Sequence, residues 1–360
     1  MKLFEEMEKR EHEELIFSYF EEVGLKLIIS LHDTTPGKAV GGLRMNHLYK
    51  SDMNAIIESL RLSRSMSFQS ATADLDSGGG NALLLGDSKR DKNEAYFRAL
   101  GRFIESLKGR LIIYPDMGTD VQDFKYIQRE TSYTIFDKDL NDGSRPTSLI
   151  TACGVYWGIK ACAKKLFGVD TLAGRSFAVQ GLGEVGRALV DMLLKDGATL
   201  YVSDLVYDNI KEVEDLNPGA EINILSPEEI LFQEVDFLVP CAVGFIIDRE
   251  KLHRLKCKAI AGAAYTIFTE EELIEEVHRR GILYAPALVI SAGDFFLLNR
   301  NLKLRDVEKG QEKEMTRIIY DIMLNILDRA AGQDISPYQV AVKAAGERIK
   351  KVGQIKNILC

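Results

Sequence analysis

The residues best placed to do chemistry lie in a short run, VQGLGEVG, from Val179 to Gly186. Gly181, Gly183 and Gly186 have the spacing G-x-G-x-x-G. They directly follow a stretch that reads as a strand, Ser176–Gln180, and open a helical pattern. In such a loop the first glycine permits a tight turn and the second lets backbone approach a pyrophosphate. The third brings helix close to strand. Leu182, Glu184 and Val185 complete the loop and the helix start, where free N–H groups and the positive end of the helix dipole favour phosphates. The next apolar run, TLYVSD, ends in Asp204, about 20 residues further on, where a carboxylate accepts from ribose hydroxyls. The same carboxylate repels a 2′-phosphate. The pattern therefore predicts a dinucleotide site that takes NAD rather than NADP. The competing reading is a glycine turn in a protein that binds no nucleotide.

Other candidates are less specific. Asp116, in PDMGT, could serve as an acid or base, or simply as a turn aspartate. Asp74 and Asp76 precede the glycines Gly78–Gly80 and could do the same, or stand in a solvated turn. Cys241 lies in the PCAVG run. The histidines at 12, 32, 47, 253 and 278 have no metal-ligand spacing, and the 5 cysteines are odd in number with no C-x-x-C pair. No metal site is predicted. The cysteines read as buried small hydrophobes in a reducing compartment.

The elements that must position these groups alternate. Residues 1–20 mix Glu and Lys with Leu3, Phe4, Met7, Leu15 and Phe17 and read as one amphipathic helix. Strands are predicted at Leu25–Ser30, Ala39–Val40, Ala82–Leu85 and Leu111–Tyr114, and helices at Ser51–Ser65 and Tyr96–Leu107. Asp74–Asn81 reads as a turn, and Phe136–Pro146 as a linker. A helix rich in Ala, Ile, Val and Leu, Ser148–Phe167, follows and is expected to lie between two domains. Further strands are predicted at Ser176–Gln180, Leu200–Ser203, Ile222–Ile224, Phe237–Pro240, Ala259–Gly262 and Leu283–Ala285. Such alternation implies a mostly parallel sheet with helices on both faces. After Asp306 the chain turns charged and helical.

With 360 residues, 46% apolar and 28% charged, the chain suits a two- or three-domain globular protein. The net charge of −8 argues against nucleic acid or an anionic membrane as the main partner. The charged N-terminus does not read as a signal peptide, and no apolar run approaches the ~18–20 residues of a membrane span. A cytoplasmic protein is expected.

Several segments in order resemble the leucine/phenylalanine/valine dehydrogenase branch of the amino-acid dehydrogenase superfamily. They include VGGLRM (Val40–Met45), LRLSRSMSFQSA (Leu60–Ala71), SGGGNALLLGD (Ser77–Asp87) and PDMGT (Pro115–Thr119). TACGVYWGIKA (Thr151–Ala161), VQGLGEVG, PCAVG, LKCKAIAGAA (Leu255–Ala264) and ILYAPALVISAG (Ile282–Gly293) extend the likeness. The resemblance implies an α/β fold. An N-terminal α/β substrate and oligomerisation domain (1–146) would stand across a cleft from a Rossmann-type NAD domain (147–305). C-terminal helices (306–360) would pack back toward the first domain. It also implies a homo-oligomer that oxidatively deaminates an L-amino acid.

The resemblance further implies a substrate pocket of Gly41, Gly42, Met66, Gln69, Asn81, Thr151 and Val289. On the cofactor side it adds Cys241, Ala242 and Ala263 to the glycine loop and Asp204. Members of that branch carry two active-site lysines, one binding the substrate carboxylate and one acting as general base, and an aspartate that assists proton transfer. Asp116 matches the aspartate, but Gln69 and Asn81 stand at the lysine positions. An amide carries no charge and does not titrate near neutrality. Tyr265 and Thr266 replace an Asn pair, and Ala287, Ser291 and Asp294 replace Asp, Asn and Gly. Ordinary deamination is therefore not expected. With two cations gone and Asp74 and Asp76 nearby, the pocket should be neutral or acidic and suit an amine, imine or amino-acid derivative. Two alternatives are an inactive NAD-binding homologue with a regulatory or partner-subunit role, and a non-redox lyase or cyclase that uses NAD.

Overall fold

A computed structural model describes residues 2–49, 51–135, 146–242, 244–295 and 311–356. The chain divides into two compact units, Met1–Ser144 with Ala345–Cys360, and Arg145–Ala344.

The first unit is built on a five-stranded sheet. Its strands are β1 (Glu14–Phe20), β2 (Leu25–Leu31), β3 (Ala39–Asn46), β4 (Gly78–Leu85) and β5 (Leu111–Pro115), in the order β1-β2-β4-β3-β5. β1 and β4 run antiparallel to β2, while β4 and β5 run parallel to β3. Alternation along β2 sends Leu25, Leu27, Ile29 and Leu31 to one face, where α3 (Glu94–Ser106) and α4 (Val121–Ile127) cover them with Phe97, Leu100, Ile104, Phe124 and Ile127. Ile28 and Leu83 point the other way, to Ala55, Ile56 and Leu60 of α2 (Asp52–Thr72). Side-chain caps start these helices: Ser51 Oγ accepts from Asn54 N–H, and Asn93 from Tyr96 N–H at 2.9 Å.

Two expectations fail in this unit. Residues 1–20 are not one helix: α1 (Leu3–Lys9) stops early and β1 follows. The run LIFSYF is rich in aromatic and branched residues that favour strands. Its period is two, with Phe17 and Tyr19 exposed and Ile16 and Phe20 packed on the core. The glycines Gly78–Gly80 and Asn81 are not a turn but the first half of β4. They form strand because their neighbours approach the bare backbone from both sides. A Cβ on Gly79 would overlap Ser63 O and Ser67 N of α2, and one on Gly41 would overlap Gly80 O. Strand β3 and helix α2 also run well beyond their predicted ends.

The close approach of α2 leaves a polar seam. Ser59, Ser63 and Ser67 recur at helical spacing and are buried. Ser63 Oγ meets His12 Nε2 at 2.8 Å, and Ser67 Oγ meets His32 Nδ1 at 2.8 Å. The two imidazoles stand edge to face, 4.9 Å apart. Burial pulls both well below the ordinary 6.5, to about 3. The His32 ring, Arg10 and Arg64 add to this at His12, and Arg64 adds to it at His32. The carbonyls of Leu60 and Arg10 oppose it, at His12 and His32 respectively.

The second unit is a six-stranded, wholly parallel sheet: β6 (Ser176–Gln180), β7 (Thr199–Ser203), β8 (Ile222–Ile224), β9 (Phe237–Pro240), β10 (Ala259–Ile260) and β11 (Leu283–Tyr284). The order is β11-β10-β9-β6-β7-β8. Numbered within the unit, this is the doubly wound order 3-2-1-4-5-6, with its reversal between β6 and β9. The long helix α5 (Pro146–Phe167) presents Gly154 and Gly158 to Ile290 of the short helix Ala287–Ile290. The helices Glu312–Met315 and Ile318–Gln333 belong to this unit, while the last helix, Pro337–Lys356, contributes its residues from Ala345 on to the first. The expected linker at 136–146 lies almost wholly outside the described residues. Among those residues no helix is long and apolar enough to cross a membrane, and no metal-binding cluster occurs.

Gly79→Ala should destabilise the protein by about 1–3 kcal/mol through overpacking, read from urea unfolding. The histidine seam gives a pH dependence. The unfolded chain binds protons below about pH 6.5, and the folded pair does not until about pH 3. Stability is therefore lost as pH falls across that window, by at most about 1.4 kcal/mol per pH unit for each ring. Between about pH 7 and pH 5 the His12→Gln/His32→Gln variant should lose about 2–4 kcal/mol less than the wild type.

Candidate active site

The glycine loop sits at the reversal point of the parallel sheet. Gly181 follows β6 with φ +95°, and a Cβ there would lie 2.6 Å from Ala242 Cβ. A Cβ on Gly186 would overlap Gly181 O, so helix α6 (Glu184–Lys195) sits directly against the loop. Gly183 differs, because nothing stands where its side chain would go. It is the N-cap of α6, and no side chain caps that helix. Bare backbone and uncapped N–H groups thus face open space, as a phosphate cradle requires.

Asp204 lies just beyond β7. Its Oδ2 accepts from Leu182 N–H at 2.6 Å and its Oδ1 from Val206 N–H at 2.8 Å. The two parts of the predicted dinucleotide site are therefore joined directly. Glu184 Oε2 accepts from Ser148 Oγ of α5, and Val185 is half-buried in the first turn of α6. Cys241 N–H donates to Gln180 O at 2.7 Å, which holds the Cys241–Ala242 segment over the loop. Burial raises the Cys241 thiol to about 11, a poor start for a nucleophile. Ala263 lies close by: its backbone opposes that rise, and its carbonyl faces Ser291 Oγ at 3.4 Å. Val289 is buried in the short helix Ala287–Ile290 and Thr151 is half-buried on α5.

The remaining candidates belong to the first unit. β3, β4 and β5 bring Gly41, Gly42, Asn81 and Asp116 together. Gly42 is opposite Asp116: a Cβ there would lie 2.8 Å from Asp116 Cβ and 2.9 Å from its Oδ2. Met66 Sδ accepts from Tyr114 OH at 3.1 Å. Asn81 is 1% exposed, and both ends of its amide are engaged. Its Nδ2 donates to Gly42 O at 3.2 Å, and its Oδ1 accepts from Ser59 Oγ at 3.2 Å. Gln69, on the same helix as Ser59, is also 1% exposed.

Asp116 is held by Arg44, whose Nε and NH2 each lie 3.0 Å from Asp116 Oδ2. Arg44 NH1 donates to Glu58 Oε1 at 2.6 Å. Burial works against the Arg44 charge, but Asp116 and Glu58 outweigh it and hold the guanidinium above its ordinary value. Asp74 and Asp76 behave differently. Their side chains are 82% and 59% exposed, and Arg348 of the last helix bridges both, at 2.8 and 3.0 Å. The two carboxylates share that one arginine at the surface, a set with net −1, and do not line a buried pocket.

Arg44, Glu58 and Arg348 escaped the sequence reading. Arg44 could have been found, since strand alternation puts it on the same face as Gly42, two residues away. Glu58 offers a weaker signal, a carboxylate inside the apolar stripe of α2.

Comparison with known proteins fits this arrangement. Residues 12–133 match the family model for the Glu/Leu/Phe/Val dehydrogenase dimerisation domain, and residues 143–355 match that for Glutamate/Leucine/Phenylalanine/Valine dehydrogenase. The chain belongs to the Glu/Leu/Phe/Val dehydrogenase family. Among similar members, the leucine dehydrogenase of Thermoactinomyces intermedius is 41% identical over 99% of this chain and 96% of its own. The phenylalanine dehydrogenase of Bacillus thermotolerans is 38% identical over 98% and 91%. The crystal structure of L-tryptophan dehydrogenase from Nostoc punctiforme covers 98% of this chain and 99% of its own, with a TM-score of 0.73 and 33% identity. The hetero-hexameric glutamate dehydrogenase from Thermus thermophilus shares the fold at 19% identity, with a TM-score of 0.75.

Asn81→Ala should strip Ser59 Oγ and Gly42 O of a partner inside the family's N-terminal sheet. A loss of about 1–3 kcal/mol is expected from urea unfolding, with an unchanged far-ultraviolet spectrum.

Proposed function

We propose that this member of the family is an NAD-dependent oxidoreductase acting on a carbon–nitrogen bond of a substrate without a free α-carboxylate. Amines, imines and amino-acid esters or amides fit that description. The observation that carries the reading is Asn81. The resemblance puts a general-base lysine there, and this chain has an amide whose donor and acceptor both bond to protein. Gln69 at the second lysine position is equally buried and uncharged.

The remaining charges support the same substrate class. Arg44 is the cation next to Asp116, and it lies between two carboxylates. The set of three carries a net −1. A substrate carboxylate about 4 Å from one such charge is repelled by about 4 kcal/mol at an effective dielectric near 20. An ammonium is attracted by as much.

The dinucleotide cradle fits NAD. Gly181, Gly183 and Gly186 bare the backbone at the start of α6, and Asp204 stands where the adenosine ribose is expected. NAD supplies the hydride acceptor. Asp116 then holds or takes the amine proton at Oδ1, since Arg44 occupies Oδ2. The relatives named for leucine, phenylalanine and tryptophan dehydrogenation support chemistry at an amino group. A homo-oligomer is proposed from the family's dimerisation domain.

The test is a NADH-absorbance assay with two panels. One pairs NAD with L-amino acids, their amides and esters, and simple amines. The other pairs NADH with 2-oxo acids plus ammonia and with preformed imines. The best carboxylate-free compound should exceed leucine, valine and phenylalanine by about 100-fold or more, and Gln69→Lys/Asn81→Lys should raise leucine turnover. Leucine as the best wild-type substrate would overturn the substrate class. Silence in both panels with NADH binding intact would instead mark an inactive homologue.

A further inference from the structure

The clamp on Asp116 has an asymmetry that a plain structural ion pair does not need. Arg44 is 8% exposed and Glu58 6%, yet the Asp116 side chain remains 30% exposed. Two nitrogens of one guanidinium converge on a single oxygen, Asp116 Oδ2. Among the described residues, Oδ1 makes no hydrogen bond. The carboxylate therefore has one closed end and one open end.

The orientation is set from β3, with one further contact from α2. Gly42 leaves room for Asp116, and Arg44 on the same face of the strand reaches its carboxylate. Asp116 N–H lies 3.3 Å from Leu43 O and 3.1 Å from Thr119 Oγ1, and Thr119 Oγ1 in turn donates to Leu43 O at 2.8 Å. The backbone of the aspartate is thus pinned to the strand that carries the arginine. Glu58, from α2 on the other side, takes the third nitrogen and keeps the planar fork from turning. Carboxylate rotation is the freedom this arrangement removes, and rotation decides which oxygen meets a substrate nitrogen.

We propose that Arg44, locked by Glu58, is the positioning residue for Asp116: it closes Oδ2 and leaves Oδ1 as the one oxygen that meets the substrate amine. This rests on the carbon–nitrogen reading above. Arg44 touches no substrate in this scheme and acts only through the aspartate. Lysine cannot replace it, because an ammonium offers a point charge and not a planar fork.

The test is a mutant cycle with the best substrate from the two panels. Arg44→Lys should lower kcat about 10–100-fold with little change in KM for NADH. In an Asp116→Asn background the same change should cost less than about 3-fold, because the group through which it acts is gone. Additive losses would overturn the proposal. Glu58→Gln, which keeps Arg44 in place, should show a smaller loss of the same non-additive kind, and it serves if Arg44→Lys fails to fold. A crystal structure of the folded variant gives a readout independent of turnover. The Asp116 carboxylate should be rotated or displaced, and an unmoved carboxylate overturns the proposal. If the wild type turns over nothing, the carbon–nitrogen reading fails and the crystal structure alone decides the positioning role.

Discussion

Backbone meeting backbone, with no side chain between, is the constraint on which this molecule depends. Gly41 faces Gly80, Gly79 faces α2, and Gly42 makes room for Asp116. The second unit uses the same device, with Gly181 against Ala242, Gly186 against the Gly181 carbonyl and Gly262 against Pro240. Each contact brings an element about one methyl group closer than ordinary packing permits. In return the interior accepts polar partners that a wider gap would leave unbonded. The serines of α2 reach the histidines and Asn81 across such a narrowed gap. Interiors of this density respond to the addition or loss of a single methyl group.

Legibility in the sequence followed the range of the interactions. The parallel sheet was readable because its signals are local: β6, β8 and β9 have the bounds that the apolar runs suggest, and the glycine spacing falls at the reversal of strand order. The N-terminal sheet was harder. Its β1 lies in a charged stretch that mimics a helix, and half of β4 is glycine, which looks like a turn until the strands beside it are known. At the candidate site, the uncharged nature of Gln69 and Asn81 could be read directly. Their surroundings could not, because Glu58 reaches back to Arg44 and Arg348 reaches back to Asp74 and Asp76 from a different element. No local pattern encodes a pairing of that kind.

The charge distribution follows from these distant pairings. One arginine is shared by the two exposed aspartates at the surface, and a second is shared by two carboxylates in the interior, so each set of three carries a net −1. The surface set stands in water, which screens its charge, whereas the set at Asp116 is largely buried and its charge is screened less. A buried ion set of this kind is costly to desolvate, and hydrophobic replacements often do as well for stability alone. Its presence beside an open carboxylate oxygen is better explained by orientation than by a gain in stability.

The surroundings of Asn81 bear on how such a site can diverge. Its partners are a carbonyl oxygen, Gly42 O, and a hydroxyl, Ser59 Oγ, which also faces Ser30 Oγ at 2.9 Å. A carbonyl and a rotatable hydroxyl can receive an ammonium as readily as an amide. A lysine here would nonetheless be two methylenes longer and would bring a charge to a side chain that is now 1% exposed. A change of chemistry at this position is therefore coupled to the packing of β3, β4 and α2, and a chain that makes the exchange has to compensate in the elements that surround it.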